Sequence, residues 1–275
     1  MQFIMFSKML QQLSIAEATG AMKRIGFEGV DLTVREKGHV LPENVVVELP
    51  GAVEAIQSQD MCVGMLSTGV TCVEDPFAEE TFKMAGECGV KLLKLGYWQY
   101  GGFGTLRASI DEIRGKLKDI EAMAKQYGVT ATIHTHSGNF VTASLPICAT
   151  LTEGLDPDAV GIYVDAGHIF IEGGYGVWKQ GIDLVQDQIR LIAAKTFGWF
   201  PVNGNNGSAV KWTRKALSFD KGMTEWTELF GYMKQIGYDG YVSLHSEYND
   251  LDLDALLAQT EKDLSFLKAT IAELD

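Results

Sequence analysis

The chain has 275 residues, 46% of them hydrophobic, and a formal net charge of −13 at pH 7. That length is normal for one α/β barrel, and the apolar content is sufficient for a large core. A surface this acidic repels phosphate backbones, which argues against nucleic acid as a partner. No run of 18 apolar residues occurs, so the sequence predicts no membrane span.

The cysteines do not indicate the cellular compartment of the protein. The four cysteines form no C-x-x-C pair and match no zinc-binding spacing. No signal peptide is visible, because the apolar residues at the start are too few for its hydrophobic segment. A leader removed from the chain would leave the same start. The sequence therefore predicts a soluble protein of the cytoplasm or the periplasm.

Helix-then-strand units recur along the chain. In four junctions a glycine follows a helical pattern and a short apolar run follows the glycine, at residues 25–32, 87–95, 126–133 and 236–244. Glycine at a helix end supplies the left-handed turn that leads into the next strand. Ser14 and Glu17 have the spacing of a capping box, which predicts the start of the first helix.

The strand pattern predicts about eight strands, near residues 2–6, 29–33, 61–67, 91–95, 129–135, 160–165, 189–195 and 240–246. Eight βα units over residues 1–275 predict one closed (β/α)8 barrel, a single-domain α/β TIM barrel. An open doubly wound sheet is the alternative, but it usually carries a glycine-rich loop after its first strand, and none occurs here. The longest irregular segment is predicted at about 196–223, after the seventh strand.

Histidines and acids cluster where three of these strands end. The residues involved are His134, His136, Asp165, His168, His245 and Glu247. An α/β barrel builds its active site from side chains at the carboxyl ends of several strands. The cluster therefore predicts an enzyme, although any one histidine taken alone is as well explained by a structural role.

Other polar or aromatic groups are expected on the same rim. They are Arg35 and His39 after the second strand, Lys94, Tyr97 and Tyr100 after the fourth, Lys195 after the seventh, and Trp199 and Trp178 as apolar faces for a sugar. Each has an alternative reading as a salt-bridge partner or as ordinary packing. The predicted substrate-binding set is Arg35, His39, Lys94, Tyr100, His136, His168 and Trp199.

Over essentially its whole length the chain resembles the sugar phosphate isomerase/epimerase family, the xylose isomerase-like TIM barrels. The most specific segments are residues 29–32, 133–138, 165–168, 195–199 and 236–247. The resemblance implies a divalent metal at the barrel mouth, held by a Glu on strand 5, an Asp on strand 6, a His on strand 7 and a Glu on strand 8. Those positions fall on His134, Asp165, Ala193 and His245, so one of the four usual ligands is unchanged.

Two chemistries are compatible with the remaining residues. His134, Asp165 and His245 form a set of two histidines and one carboxylate, which suits Mn, Fe or Zn, with Mg as a further candidate for the divalent ion. Without a metal, His134 or His245 would act as general acid or base, and Glu247 or Lys195 would stabilise an enediolate. The predicted catalytic set is therefore His134, His245, Glu247 and Lys195.

The leading functional hypothesis is a sugar isomerase or epimerase that abstracts a proton next to a carbonyl group. A lyase or hydratase acting on an oxidised sugar, and a sugar-binding descendant without activity, are the alternatives. An apurinic-site endonuclease is disfavoured, because it needs more metal ligands and a basic DNA-binding face. The expected partner is a small-molecule sugar. Family members are often dimers or tetramers, which leaves a homo-oligomer open.

Overall fold

The computed structural model describes residues 1–202 and 210–274. In chain order its strands are β1 (Gln2–Phe6), β2 (Gly29–Val34), β3 (Cys62–Thr68), β4 (Leu92–Lys94), β5 (Thr130–His134), β6 (Val160–Asp165), β7 (Ile189–Ala194), β8 (Phe197–Val202), β9 (Lys211–Ala216) and β10 (Tyr241–Leu244). The helices are α1 (Ile15–Ile25), α2 (Val45–Gln57), α3 (Ala78–Glu87), α4 (Leu106–Tyr127), α5 (Leu145–Thr152), α6 (Ala166–Gly173), α7 (Val177–Val185), α8 (Trp226–Gln235) and α9 (Leu253–Ala272).

Eight parallel strands close into a barrel in the order β1, β2, β3, β4, β5, β6, β7 and β10. Closure occurs where β1 pairs with β10, from Gln2 opposite Tyr241 to Met5 opposite Leu244. All eight predicted strands are present within a residue or two of their expected limits. The closed barrel is therefore confirmed and the open doubly wound sheet is wrong.

The segment predicted to be irregular, about 196–223, contains a β-hairpin instead. Strands β8 and β9 pair antiparallel, from Phe197 opposite Ala216 to Val202 opposite Lys211. The asparagine- and glycine-rich run at 203–208 lies outside the described residues. The hairpin follows β7 directly, so it stands at the carboxyl end of the barrel, where sites in this fold are built.

The predicted helix signals have the expected structural roles. The Ser14 side chain accepts from the Glu17 backbone N–H while the Glu17 carboxylate accepts from the Ser14 N–H, which confirms the capping box. Gly26 ends α1 with a φ of 103°, a left-handed conformation that glycine adopts without strain. The apolar stripe of α4 is buried against the barrel, as its periodicity predicts.

The interior of the barrel is apolar at depth and polar at the carboxyl mouth. Ile4, Met65, Tyr163, Leu191 and Ala193 form a fully buried cluster across the barrel. Because alternate residues of a strand share a face, the interior side chains two positions further along each strand lie nearer the mouth. The apolar cluster thus forms the floor of the space in which the polar residues meet.

Trp178 is not available as a sugar-stacking face. It lies in α7, is 2% exposed and packs on Phe170 with ring centroids 4.3 Å apart. Its place in the helical layer makes it part of the core. Within residues 1–202 and 210–274, no helix combines the length and apolar character that a membrane crossing requires.

Two helical glycines give a matched test of the packing. A Cβ at Gly86 in α3 would lie 2.3 Å from the Tyr127 carbonyl oxygen, whereas a Cβ at Gly115 in α4 meets nothing within 4 Å. We expect Gly86→Ala to lower the free energy of unfolding and Gly115→Ala to raise it by about 0.5–1 kcal/mol, the usual gain for alanine in a helix. Urea unfolding measures both, and stabilisation by Gly86→Ala would contradict the close approach of α3 to the end of α4.

Candidate functional site

A buried group of three charges lies at the barrel mouth. Lys195 follows β7, and its Nζ lies 3.0 Å from Asp165 Oδ2 at the end of β6 and 2.9 Å from Glu247 Oε2 beyond β10. Asp165 is 0% exposed and Lys195 only 5% at the side chain. We call Asp165, Lys195 and Glu247 the ion triad. It joins three barrel elements through one ammonium group.

The barrel register brings these side chains together. Asp165 pairs with Ala193 across β6 and β7, which puts Lys195 two residues further on the same face. Asp165 also caps α6, because its Oδ1 accepts from the His168 backbone N–H at 3.1 Å. Its two oxygens thus have separate partners, one the helix start and one the ammonium of Lys195.

The ion triad keeps its members charged. Burial alone would raise the pKa of Asp165, but His168, Lys195 and His134 together hold it well below the usual range. Burial is likewise outweighed at Glu247, whose pKa is held well below its usual range by Lys195, His245 and Lys8. The same carboxylates outweigh burial at Lys195 and raise its pKa. Both acids are ionised and Lys195 is protonated at neutral pH.

His134 joins the ion triad to Tyr97. Its Nδ1 lies 2.6 Å from the Tyr97 hydroxyl, and its Nε2 faces Asp165 Oδ2 at 3.2 Å. Burial lowers the pKa of His134 to about 3, although Asp165 opposes this, so the imidazole is neutral. Burial also raises the pKa of Tyr97 well above its usual range, so the phenol keeps its proton.

Arg214 fixes the tautomer of His168. This arginine, on β9 of the hairpin, donates to Nδ1 of His168 at 3.0 Å and also to the Ser137 hydroxyl. Because a guanidinium only donates, Nδ1 must accept, and the proton of the neutral ring lies on Nε2. Nε2 in turn lies 3.8 Å from Asp165 Oδ2. The hairpin therefore favours the tautomer in which the nitrogen that faces the carboxylate carries the proton.

His245 lies on the other side of the mouth. Its ring stacks on Phe6 with centroids 4.5 Å apart, and its Nε2 is hydrogen bonded to the Tyr163 hydroxyl at 2.9 Å. Asp31 Oδ2 lies 3.7 Å from the same nitrogen and accepts from Ser243 at 2.8 Å. The imidazole is thereby oriented by a phenol and a buried carboxylate.

Two adjacent spaces open at the mouth. The inner cavity, of about 90 Å³, is lined by Phe6, Lys8, Arg35, Ser67, Lys94, Tyr97, His134, His136, Tyr163, Lys195, His245 and Glu247. The outer cleft, of about 750 Å³, shares Lys8, His136 and Glu247 with it and is bordered by His168 and the hairpin residue Arg214.

Lys94 differs from Lys195 in its neighbours. Its Nζ lies 3.7 Å from the centroid of the Tyr97 ring, and no ion pair with a carboxylate forms among the described residues. Burial, followed by the positive charge of Arg35, lowers the pKa of Lys94 to about 7. Of the two buried lysines that line the inner cavity, Lys195 is protonated and Lys94 is partly neutral near neutral pH.

The structure brings together most of the predicted site residues. Arg35, Lys94, His134, His136, Lys195, His245 and Glu247 line the inner cavity, with Asp165 behind Lys195 and His168 on the outer cleft. His39, Tyr100 and Trp199 do not line either space. His39 packs near Ile15 and Ala18 on the helix side of β2, and Trp199 is a half-exposed residue of the hairpin.

Sequence reasoning missed several residues of the mouth, among them Lys8, Asp31, Ser137, Tyr163 and Arg214. Asp31 stands in an apolar strand in the same way as Asp165, and Tyr163 shares the face of Asp165 two residues earlier, so both had a readable signal. Arg214 had no such signal in the sequence, because its position depends on how the hairpin folds. Lys8 pairs with Glu247 at 3.0 Å, a contact between opposite ends of the chain.

Sequence comparison matches residues 19–270 to the xylose isomerase-like TIM barrel family. The chain belongs to this family. Similar solved structures include the IOLI protein with a bound zinc atom, with a TM-score of 0.77, 14% identity and coverage of 100% of this chain and 99% of that chain. No curated protein sequence matches the chain.

Two sugar epimerases also have the xylose isomerase-like fold. The 3-keto-D-glucoside 4-epimerase YcjR from E. coli has a TM-score of 0.71, 16% identity and coverage of 98% of this chain and 99% of that chain. The D-psicose 3-epimerase from Clostridium cellulolyticum has a TM-score of 0.74, 11% identity and the same coverage. Identities this low show the fold alone.

The mouth of this xylose isomerase-like barrel does not fit a divalent ion. Two buried imidazole nitrogens, His134 Nε2 and His168 Nε2, face Asp165 Oδ2 at 3.2 Å and 3.8 Å. However, the Lys195 ammonium already lies against Asp165, and Nε2 of His168 carries a proton because Arg214 binds Nδ1. Ala193 has no donor atom. Within the described part of the chain, no three His, Cys, Asp or Glu side chains are arranged to hold a metal.

His136 gives a pH test of this geometry. Burial, followed by Lys195, lowers the pKa of His136 from 6.5 to about 4. The unfolded chain therefore binds a proton that the folded state excludes, so His136 lowers the free energy of unfolding as the pH falls from 6.5 to about 4. His136→Asn should lose stability less steeply over that window.

Urea unfolding of both proteins between pH 8 and pH 4 provides the measurement. At pH 8 the difference between them reports packing and the hydrogen bond to Ser137 alone, which makes that point the internal control. Parallel pH profiles for the two proteins would show that the His136 imidazole is solvated and titrates normally.

Proposed function

We propose that the protein is a sugar isomerase or epimerase that removes a proton from the carbon next to the carbonyl group of a keto-sugar. The observation that carries the proposal is the inner cavity, where basic, phenolic and cationic groups meet at the carboxyl ends of the strands. Membership of the family supports it, as do the two sugar epimerases with the same fold.

Lys94 and His245 are the proposed proton carriers. A general base works best when its pKa lies near the working pH, and that of Lys94 is about 7. His245 reaches the same cavity from β10, whereas Lys94 reaches it from β4. Two carriers on different walls can take a proton from one face of a carbon and return it to the other. This arrangement is what an epimerisation requires.

His134 is proposed as a proton relay. It is neutral and contacts the Tyr97 hydroxyl at Nδ1 and Asp165 at Nε2. A neutral imidazole whose Nε2–H faces a carboxylate presents a lone pair at Nδ1, so the Tyr97 hydroxyl donates to it. Tyr97 lines the cavity, and its hydroxyl oxygen can accept a hydrogen bond from a sugar hydroxyl there. The pair thus connects substrate to the ion triad.

Lys195 and Glu247 have different proposed roles. Lys195 lines the inner cavity and stays protonated, so it can stabilise the oxygen on which negative charge develops as the carbon loses its proton. Glu247 holds that ammonium in place together with Asp165. A carboxylate whose pKa is held well below its usual range is a weak base, and we therefore assign Glu247 to positioning Lys195.

A second candidate function is a lyase or hydratase acting on an oxidised sugar. The basic residues Lys8, Arg35, Lys94 and Lys195 line the inner cavity against one acid, Glu247, although the whole chain carries a net charge of −13. The outer cleft adds Arg214, Lys215 and Lys221. A mouth with this charge favours a substrate that carries a carboxylate. Such an enzyme would begin with the same proton abstraction.

Solvent deuterium exchange tests both candidates without knowledge of the product. We expect the protein to introduce deuterium from D₂O next to the carbonyl of at least one keto-sugar, detected by NMR. Matched pairs of neutral and carboxylate-bearing keto-sugars distinguish the candidates, and faster exchange in the acidic member favours the second. Heat-denatured protein is the control. Binding of a keto-sugar without exchange would sink both candidates and leave the sugar-binding descendant.

Lys94 provides the variant that tests the assigned base. Lys94→Met should lower the exchange rate about 10²–10⁴-fold, the usual contribution of a positioned base. In the unaltered protein the rate should rise as the pH increases through about 7, because the neutral amine accepts the proton. Lys91→Met is the matched control, since Lys91 is exposed at the outer end of the same segment. A Lys94 variant with unchanged exchange would transfer the role to His245.

A further inference from the structure

The Lys195 ammonium lies between two carboxylates, at the point where β6, β7 and β10 end. A positive group lies 3.0 Å from Asp165 and 2.9 Å from Glu247 at the centre of the mouth. Relatives of the same fold have been solved with zinc or with magnesium. The one carboxylate retained from the family's usual ligand set, Asp165, is thus already paired with a cation that belongs to the chain.

The surrounding residues are consistent with a resident ammonium. Ala193, opposite Asp165 in the β6–β7 pairing, carries a methyl group that leaves space for the lysine chain two residues later. Glu247 reaches the ammonium from β10, and its second oxygen is held by Lys8 at 3.0 Å. A divalent ion entering beside Asp165 would meet the charge of Lys195 at close range, and like charges at such a distance repel.

The two nearest imidazoles are also committed elsewhere. His168 Nδ1 accepts from Arg214, which leaves a proton on the nitrogen that faces Asp165. His134 Nδ1 is bonded to Tyr97. A metal ligand must offer a free lone pair, so His168 would have to change its tautomer and lose its bond to the hairpin. The hydrogen bonds around the mouth thus favour the ammonium over a metal.

We infer that the Lys195 ammonium takes the place of the divalent metal in this barrel, as the fixed cation that binds the substrate's carbonyl oxygen. The mouth then works without a bound metal, and removing the lysine frees Asp165 and Glu247 as the carboxylate ligands of a latent metal site. The role toward substrate rests on the proposed function. The preference of the mouth for an ammonium over a metal does not, because it is a property of the unliganded protein.

Mn²⁺ binding to chelator-treated protein tests the inference directly. The unaltered protein should show no stoichiometric Mn²⁺ binding by calorimetry, and Lys195→Ala should bind one Mn²⁺ at least tenfold more tightly. Lys94→Ala is the matched control, because it removes a buried lysine from the same cavity without freeing a carboxylate. It should leave Mn²⁺ binding unchanged. Tight binding to the unaltered protein, or no gain in Lys195→Ala, would overturn the inference.

Activity measurements separate this inference from the proposed function. Deuterium exchange by the unaltered protein should persist in the presence of a chelator. Lys195→Met keeps the bulk of the side chain without its charge, so it should lose at least 10²-fold in rate, and methylammonium should partly restore the rate of Lys195→Ala. Chelator-sensitive exchange would defeat the inference and leave the function standing. If the Mn²⁺ results are as expected but no sugar undergoes exchange, the proposed function fails and the preference of the mouth for an ammonium over a metal stands.

If Lys195→Ala does not fold, two other measurements still test the inference. The unaltered protein alone reports whether its mouth takes Mn²⁺ and whether a chelator changes its exchange rate. Lys195→Met, which preserves the packing of the lysine stem, then replaces Lys195→Ala in the comparison with Lys94→Ala. A variant that folds and binds no more Mn²⁺ than the unaltered protein contradicts the latent metal site.

Discussion

The structure of the barrel mouth depends on one buried ammonium between two carboxylates. Lys195 helps to hold the pKa of both Asp165 and Glu247 well below the usual range, and the two carboxylates outweigh burial at Lys195 and raise its pKa. Removing one member of such a group leaves an uncompensated buried charge and typically costs about 3–5 kcal/mol. The interaction also joins the ends of β6, β7 and β10. The same contacts therefore determine both the geometry of the mouth and the charge states of its side chains.

The fold was largely predictable from the sequence because each βα unit carries its own local signals. Glycine at a helix end, a capping box and a short apolar run are all readable within about ten residues, and Gly26 and Ser14 are examples. Parallel strands then bring their carboxyl ends to one rim, which is why the predicted cluster around His134 and Lys195 is a real cluster. The hairpin β8–β9 lacks such a signal, so the sequence pattern predicts an irregular segment there.

What the sequence could not supply is the pairing of charges. That Lys195 contacts Asp165 depends on the register of β6 against β7 and on the length of a lysine chain, and that Arg214 reaches His168 depends on how the hairpin folds back. His39 and Trp199 are predicted site residues that the structure does not bring to the mouth. Both follow strands in the sequence, but their side chains leave the rim, because residues beyond the strand end no longer keep to the alternation of the strand.

Lys94 and Lys195, the two buried lysines of the inner cavity, illustrate how the fold gives one residue type two chemical roles. Both are buried, and burial favours the neutral form of each. Lys195 has two carboxylates in contact and remains a cation, whereas Lys94 faces an aromatic ring and other positive charges, and its pKa falls to about 7. Pairs of titratable groups whose surroundings separate their pKa values mark the acid and base assignments of a site. An amine that is partly neutral near pH 7 can accept the proton from a substrate carbon, and the fixed cation beside it can stabilise the negative oxygen of the enediolate that forms.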